Sequence, residues 1–430
     1  VPVRNLQILI VILMVCMACY VQAERLKYAG KLGTAIQRIK DNYVEEIDPE
    51  DLYMAAMRGL VSELDQFSEF IPPTKYAEFQ SVIEQQFGGL GILIEGPPAV
   101  TQLTVVAPIP GTPAFQAGIQ PGDVITFIGE KSTAGLQATE ATELMRGPVG
   151  DAVRLTVERM GEPQALQFDI RRADIQVDSI YGDRIRADSS WEFLMEEDRR
   201  IAYIRITLFG ERTVDEFAKA LKSIERSAQA VIIDLRFNPG GILPSSVQMC
   251  DMLLDQGTIV STRGRNPRYQ MEFTADKSLS LSKSIPMVVL VNDQSASASE
   301  IMAGCLQDAG RAQVAGERSY GKGTVQQVFP LENDQTALKF TTARFYRPSG
   351  KNIQRGKEMS EEDQWGITPI PELTLPLSDL QELYLNLRWR RRGDPRLMTA
   401  TERPPAPRLA GDPQLELAVD YLQGQLPKGR

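Results

Sequence analysis

Three serines stand at alternate positions, Ser295, Ser297 and Ser299, in the stretch NDQSASASE at 292–300, and Lys322 follows 25 residues after Ser297 with a glycine on either side. The chain contains no histidine. A serine nucleophile here needs another base. A lysine can serve if burial beside apolar groups lowers its pKa from about 10.4 to roughly 7–8, where the neutral amine can take a hydroxyl proton. Serine attack on a carbonyl with lysine as base is acyl-transfer chemistry. It also requires N–H groups aimed at a developing oxyanion, and the Pro239-Gly240-Gly241 turn that follows Asp234-Leu235-Arg236-Phe237-Asn238 can leave them free.

Each of these loops has a plainer reading. Ser297 and Glu300 fit a capping box, with Ser297 as N-cap, yet the same geometry exposes a hydroxyl at a positive helix end. Pro-Gly-Gly is also a tight strand-to-helix turn. GERSYGKG, from Gly316, matches a phosphate loop up to Lys322, but Gly323 replaces the Ser or Thr that would meet magnesium and no long buried strand precedes it.

The elements that must carry these loops follow from hydrophobic periodicity. Beyond 175, strands and helices alternate, and the unalternated runs VIIDL and MVVLV imply a central sheet covered on both faces, with the loops at one end. Residues 84–172 are β-rich, with helical pieces TPAFQAGI and ATELMRG and a tight turn, PGD at 121–123. Residues 24–83 read as amphipathic helix, with Asp48 or Asp51 as N-cap and Pro72-Pro73 ending the segment. The tail from 376 reads as helix, then a Pro-rich stretch, RPPAPR, then a last helix, DPQLELAVDYLQ.

At 430 residues with 43 % hydrophobic content, two or three domains are expected. A net charge of −9 argues against a nucleic-acid partner, and RWRRR at 388–392 reads as a solvated helix end. Arg4 precedes the apolar run LQILIVILMVCMACYV, which reads either as an export signal or as a membrane anchor, with Val21-Gln22-Ala23 a loose cleavage pattern. Cys16 and Cys19 lie in that run, so Cys250 and Cys305 make no disulfide framework, and both read as buried apolar residues. No metal or organic cofactor is expected.

Gly88-Gly89-Leu90-Gly91-Ile92, AFQAGIQPGDVI and LMRGPVGD, in this order, resemble a PDZ domain, whose glycine loop presents amides to a terminal carboxylate while a peptide adds as a strand. The ordered set DLRFNPGG, SASASE with AGCLQDAGRA, YGKGTVQ, and TTARFYRPSGKNIQ with GITP resembles the C-terminal processing peptidases, or tail-specific proteases, PDZ-containing enzymes with a Ser–Lys dyad.

The resemblance implies a multidomain α/β chain: an export segment at 1–23, a helical region at 24–83, a PDZ domain at 84–172, a serine protease core of ClpP/crotonase-like type at 173–375 and a helical tail at 376–430. It makes Ser297 the nucleophile, Lys322 the base and Gln326, one helical turn beyond, the residue orienting the lysine. Gly240, Gly241 and Ala298 become the oxyanion hole, Asp308 a structural or supporting acid, and Gly89, Leu90, Gly91, Ile92 and Arg146 the peptide-binding set, with Arg146 coupling it to the core. Ser295 and Ser299 are left as loop and first-turn hydroxyls. Substrates would be proteins with free apolar C-termini, in an extracytoplasmic, periplasm-like compartment, with the enzyme secreted or anchored and a homo-oligomer.

Departures from the family pattern are Tyr320 in place of phenylalanine, Phe237 in place of a polar residue, and the insertion RGKEMSEEDQWG at 355–366. The rivals are a non-catalytic PDZ scaffold and an acyl-CoA enzyme of crotonase type.

Overall fold

The computed structural model describes residues 3–97, 100–276, 281–331, 335–393 and 411–427. The Pro-rich stretch of the tail lies outside them. The chain divides into two compact units, Val1–Tyr76 with Gln326–Thr341, and Ala77–Val325 with Thr342–Arg430.

In the first unit, helix α1 (Val3–Asn42) contains the apolar run, and among the described residues no helix is long and apolar enough to cross a membrane. Helix α2 (Pro49–Ser62) starts where its sequence says: Asp48 accepts the Glu50 N–H at 2.9 Å, Pro49 opens the helix and Glu50 and Asp51 face its positive end. Glu69–Ile71, expected to be helical, is a strand whose partners are Ala337–Lys339, in antiparallel register. A pairing that distant overrides a local helical pattern. Pro73 likewise opens helix α3 (Pro73–Glu84) rather than closing a helix, because the first helical position needs no N–H.

The second unit begins with a sheet in the order Ile92–Glu95, Thr104–Pro108, Val124–Ile128, Ala152–Glu158, Leu166–Arg171. Short helices α4 (Pro113–Ala117) and α5 (Ala138–Met145) accompany it. Strict alternation in Ala152–Glu158 sends Val153, Leu155 and Val157 into a core shared with Leu103, Ile119 and Ile125. The turn at 121–123 works through Asp123, which is buried, accepts the Gln120 N–H and pairs with both ends of the Arg159 guanidinium at 2.7 Å.

The larger sheet runs Ile180–Tyr181, Ile201–Ile206, Ala230–Asp234, Met287–Val291, Gln313–Gly316, parallel from the second strand onward. The two runs expected at its centre are there, and fully buried. Val231 and Ile233 face helices α6 (Thr213–Ile224), α7 (Leu243–Asp251) and α8 (Ala298–Asp308). Helix α9 (Asp379–Arg392) follows, and Ile232, Val288 and Leu290 face helix α10 (Pro413–Gln425). Cys250 and Cys305 are buried in α7 and α8.

The basic cluster of α9 is not simply a solvated end. Arg388 and Arg392, four residues apart and so on one helix face, turn inward to Asp183 at 3.4 and 3.2 Å, and Arg392 also binds Glu197. Arg390 and Arg391 stay exposed.

Candidate active site

The alternating serines divide into two fasteners and one strained residue. Ser295, fully buried, donates to Leu235 O at 2.8 Å and accepts the Asn292 N–H at 2.9 Å. Ser299 donates to Asn238 O at 2.9 Å. Both hydroxyls tie their loop to the segment leaving the central strand Ala230–Asp234. Between them Ser297 sits at the N-cap of α8 with φ 57° and ψ −113°, a conformation that a non-glycine residue rarely adopts and that clusters at functional sites.

Glu300 holds that loop against the lysine loop. Its carboxylate is buried and accepts from the Ser297 N–H at 2.8 Å, the Lys322 N–H at 2.9 Å, the Gly321 N–H at 2.7 Å and the Ser319 hydroxyl at 2.6 Å. Burial pushes its pKa up to about 7, while the donors pull the other way. The capping-box spacing pointed to the Ser297 contact alone. Nothing in the sequence announced the other three donors, which arrive from residues 19–22 positions later.

The glycine turn presses on the nucleophile. Gly240 has φ 102°, and a Cβ on it would lie 2.7 Å from Ala296 O, 2.8 Å from Ser297 Cβ and 2.9 Å from Ala298 N, so the position is closed to any side chain. The Gly240 N–H, expected to face the oxyanion, instead donates to Asn238 Oδ1 at 2.8 Å, because the Asn238 side chain folds back over its own turn. Among the described residues no hydrogen bond takes up the N–H of Gly241 or of Ala298.

Behind this turn lies a buried ion cluster. The Arg236 guanidinium meets Asp234 at 2.9 and 2.6 Å and Asp412 at 2.8 and 2.9 Å, and also donates to Gln414 at 3.0 Å. Burial would raise the Asp412 carboxyl, but the charge of Arg236 holds it below the usual carboxylate range. Phe237, also at positive φ, rests edge-on against Trp389, whose indole N–H donates to Tyr203, whose hydroxyl donates to Asp234. Asp412 is the N-cap of α10, so the last described helix pins the loop beside Ser297.

Two further expected members have other surroundings of their own. Asp308 ends α8, the helix that Ser297 begins, and binds Arg347 and the Ser349 N–H, a structural role about 16 Å along the axis. Gln326 lies on the strand Thr324–Leu331, not on a helix, and in the first unit its Nε2 donates to Thr341 at 3.1 Å. The β-branched and aromatic residues of TVQQVF favour the strand.

In the smaller sheet, Gly89 ends the strand Gln86–Gly89, Leu90 is buried, and Gly91 takes φ 77° against Thr112, where a Cβ would clash. Among the described residues no hydrogen bond takes up the Leu90 or Gly91 N–H. Ile92 begins the edge strand Ile92–Glu95, which among the described residues pairs on one side only. Arg146 caps the end of α5, binds Glu78 at 3.5 Å and stacks on Phe87. It lines a cavity of about 320 Å³ with Gln85, Asp178, Ser179 and Thr207, away from the open edge.

Comparison with known proteins agrees with this picture. The family model for peptidase family S41 matches residues 200–369, and that for the PDZ domain matches residues 104–159. The chain is 36 % identical over 363 residues to the carboxy-terminal-processing protease of Bartonella bacilliformis, covering 83 % of this chain and 78 % of that one. It is 33 % identical to the carboxy-terminal processing protease CtpA of Bacillus subtilis, covering 80 % and 69 %. An S41 protease structure from Bacteroides fragilis superposes with a TM-score of 0.51 at 15 % identity, over 90 % and 92 %, a likeness of fold. With such identity over most of its length, the chain belongs to the carboxy-terminal-processing proteases of peptidase family S41 and is a serine peptidase.

Proposed function

We propose that this peptidase is an endopeptidase that holds protein tails at its PDZ domain and cleaves them with a Ser297–Lys322 dyad. The observation that carries this reading is the shared carboxylate: Glu300 fixes the amides of Ser297 and Lys322 together, beside the Gly241 and Ala298 N–H groups. The neutral Lys322 amine takes the Ser297 proton as Oγ attacks the peptide carbonyl. The oxyanion points to the N–H groups of Gly241 and Ala298, each worth about 10²–10³ in rate. The proton passes to the leaving amine, an acyl-enzyme remains, and water hydrolyses it. Gly240 serves by shape, as the close floor of the pocket. An orienting role for Gln326 rests on the family resemblance.

The tail would add to the open edge of Ile92–Glu95, its carboxylate on the Leu90 and Gly91 amides, with an apolar last side chain toward α5. The apolar run after Arg4 supports export and action outside the cytoplasm, and the terminal helices support a homo-oligomer.

The test is to incubate the full chain and Ser297→Ala with an unfolded protein ending in an apolar free carboxylate, and separately in its amide, and to follow fragments by mass spectrometry. Cleavage by the wild type alone, with preference for the free acid, is expected. Equal cleavage by Ser297→Ala would sink the dyad, and indifference to amidation would sink the tail site.

A further inference from the structure

The insertion at 355–366 is not absorbed by the dyad, the amide turn or the tail site. It folds as a strap over the lysine loop and is fastened at both ends. At one end the Arg355 N–H donates to Gly321 O at 2.8 Å, and the Gly323 N–H donates to Gln354 Oε1 at 3.0 Å. At the other, the Ile367 N–H donates to the Ser319 hydroxyl at 2.6 Å, and the Ser319 N–H donates to Ile367 O at 3.0 Å. That same hydroxyl donates to Glu300.

Residues 355–364 of the strap are exposed, but Trp365 is only 6 % exposed. Its ring lies on the lysine turn: a Cβ on Gly321, at φ 84°, would come 3.0 Å from Trp365 Cε3 and 2.9 Å from Arg355 Cβ. The guanidinium groups of Arg318 and Arg355 cover the indole at 4.6 and 4.2 Å from its centre. Glu361 pairs with both, at 3.7 and 3.0 Å, and the indole N–H donates to Ser360 O at 3.0 Å. A turn with glycine on both sides of its lysine is intrinsically loose. Glu300 fixes one side of it through the Gly321 and Lys322 N–H groups, and Trp365 and Arg355 lie against Gly321.

We propose that Trp365 is a positioning residue for Lys322: clasped between Arg318 and Arg355, it seals the outer side of the Gly321–Lys322–Gly323 turn and holds the amine in place for the Ser297 proton. The inference rests on the reading of Lys322 as base. Removing the indole admits water to the turn, so the amine titrates closer to free lysine and less of it is neutral near pH 8.

The test is the rate at which an aryl fluorophosphonate labels Ser297 in the full chain, followed from about pH 6 to about pH 10. Trp365→Ala should label about 10-fold or more slowly near neutrality, since small misplacement of a reacting group is costly. Its pH midpoint should rise by roughly half a unit or more, Trp365→Phe should restore most of the rate, and Glu361→Gln should fall between. Lys322→Ala separates the two readings. If it labels like the wild type, the dyad itself fails. If it is dead while a folded Trp365→Ala keeps the wild-type rate and midpoint, the strap inference alone is overturned. Should Trp365→Ala not fold, an unchanged rate and midpoint in Glu361→Gln overturns it.

Discussion

The backbone N–H groups of Ser297 and Lys322 donate to the same oxygen of Glu300, at 2.8 and 2.9 Å. The distance between the serine and lysine loops is therefore set by one buried side chain that does not itself react. A glutamine there keeps the shape but offers one accepting oxygen in place of two, leaving one pair of donors without a partner. Glu300→Gln should lower turnover about 10²-fold with a smaller effect on KM.

The same carboxyl shapes the dependence of stability on pH. Its folded pKa, about 7, lies above the ordinary 4.5, so between these values the folded chain keeps a proton that the unfolded chain has released. This contribution to stability is complete below about pH 4.5, declines as pH rises and is gone above about pH 7, a change of roughly 3 kcal/mol. Urea unfolding of the wild type and Glu300→Gln at acid and neutral pH should show that slope in the first and not in the second.

Gly240→Ala places a methyl group 2.8 Å from Ser297 Cβ at a backbone angle that alanine avoids. It should cost about 1–3 kcal/mol of stability and reduce Ser297 labelling to background. A variant that melts normally and labels normally would show that the turn can withdraw from the serine.

Of the three serines, only Ser297 should be essential. Ser295→Ala and Ser299→Ala each remove a fastening hydrogen bond, at about 1–3 kcal/mol of stability, and both should still label with a fluorophosphonate. Mass spectrometry of the labelled peptide reads the position directly.

Asp412→Ala leaves a fully buried guanidinium with one carboxylate in place of two. A loss of about 3–5 kcal/mol is expected, with weakened catalysis because the Asn238–Gly241 turn is anchored through Arg236 and Phe237. Thermal unfolding and labelling rate together measure both effects.

What the sequence made legible was local. VIIDL and MVVLV were central strands because unalternated apolar runs need cover on both faces, and Asp48 capped α2 because capping is decided within one turn. Ser297, Lys322 and the glycine turn stood out by residue type and spacing. What stayed hidden depended on partners far along the chain: the pairing of Glu69–Ile71 with Ala337–Lys339, the inward turn of Arg388 and Arg392, and Asp412 at Arg236. Glu300 was visible as half of a cap, and its meeting with the lysine loop was not, since the sheet that brings α8 beside residues 319–322 is a property of the whole unit. At Gly240 the hidden feature is smaller, a side chain two residues earlier that takes up its amide.

The Arg236–Asp412 pair spans 176 residues of chain. During synthesis the loop bearing Arg236 and the loop bearing Ser297 are both made well before residue 412. Until then the guanidinium has no second carboxylate, and the turn lacks that anchor. The brace on that turn is therefore completed late in synthesis, long after the segment that carries Ser297 has been made.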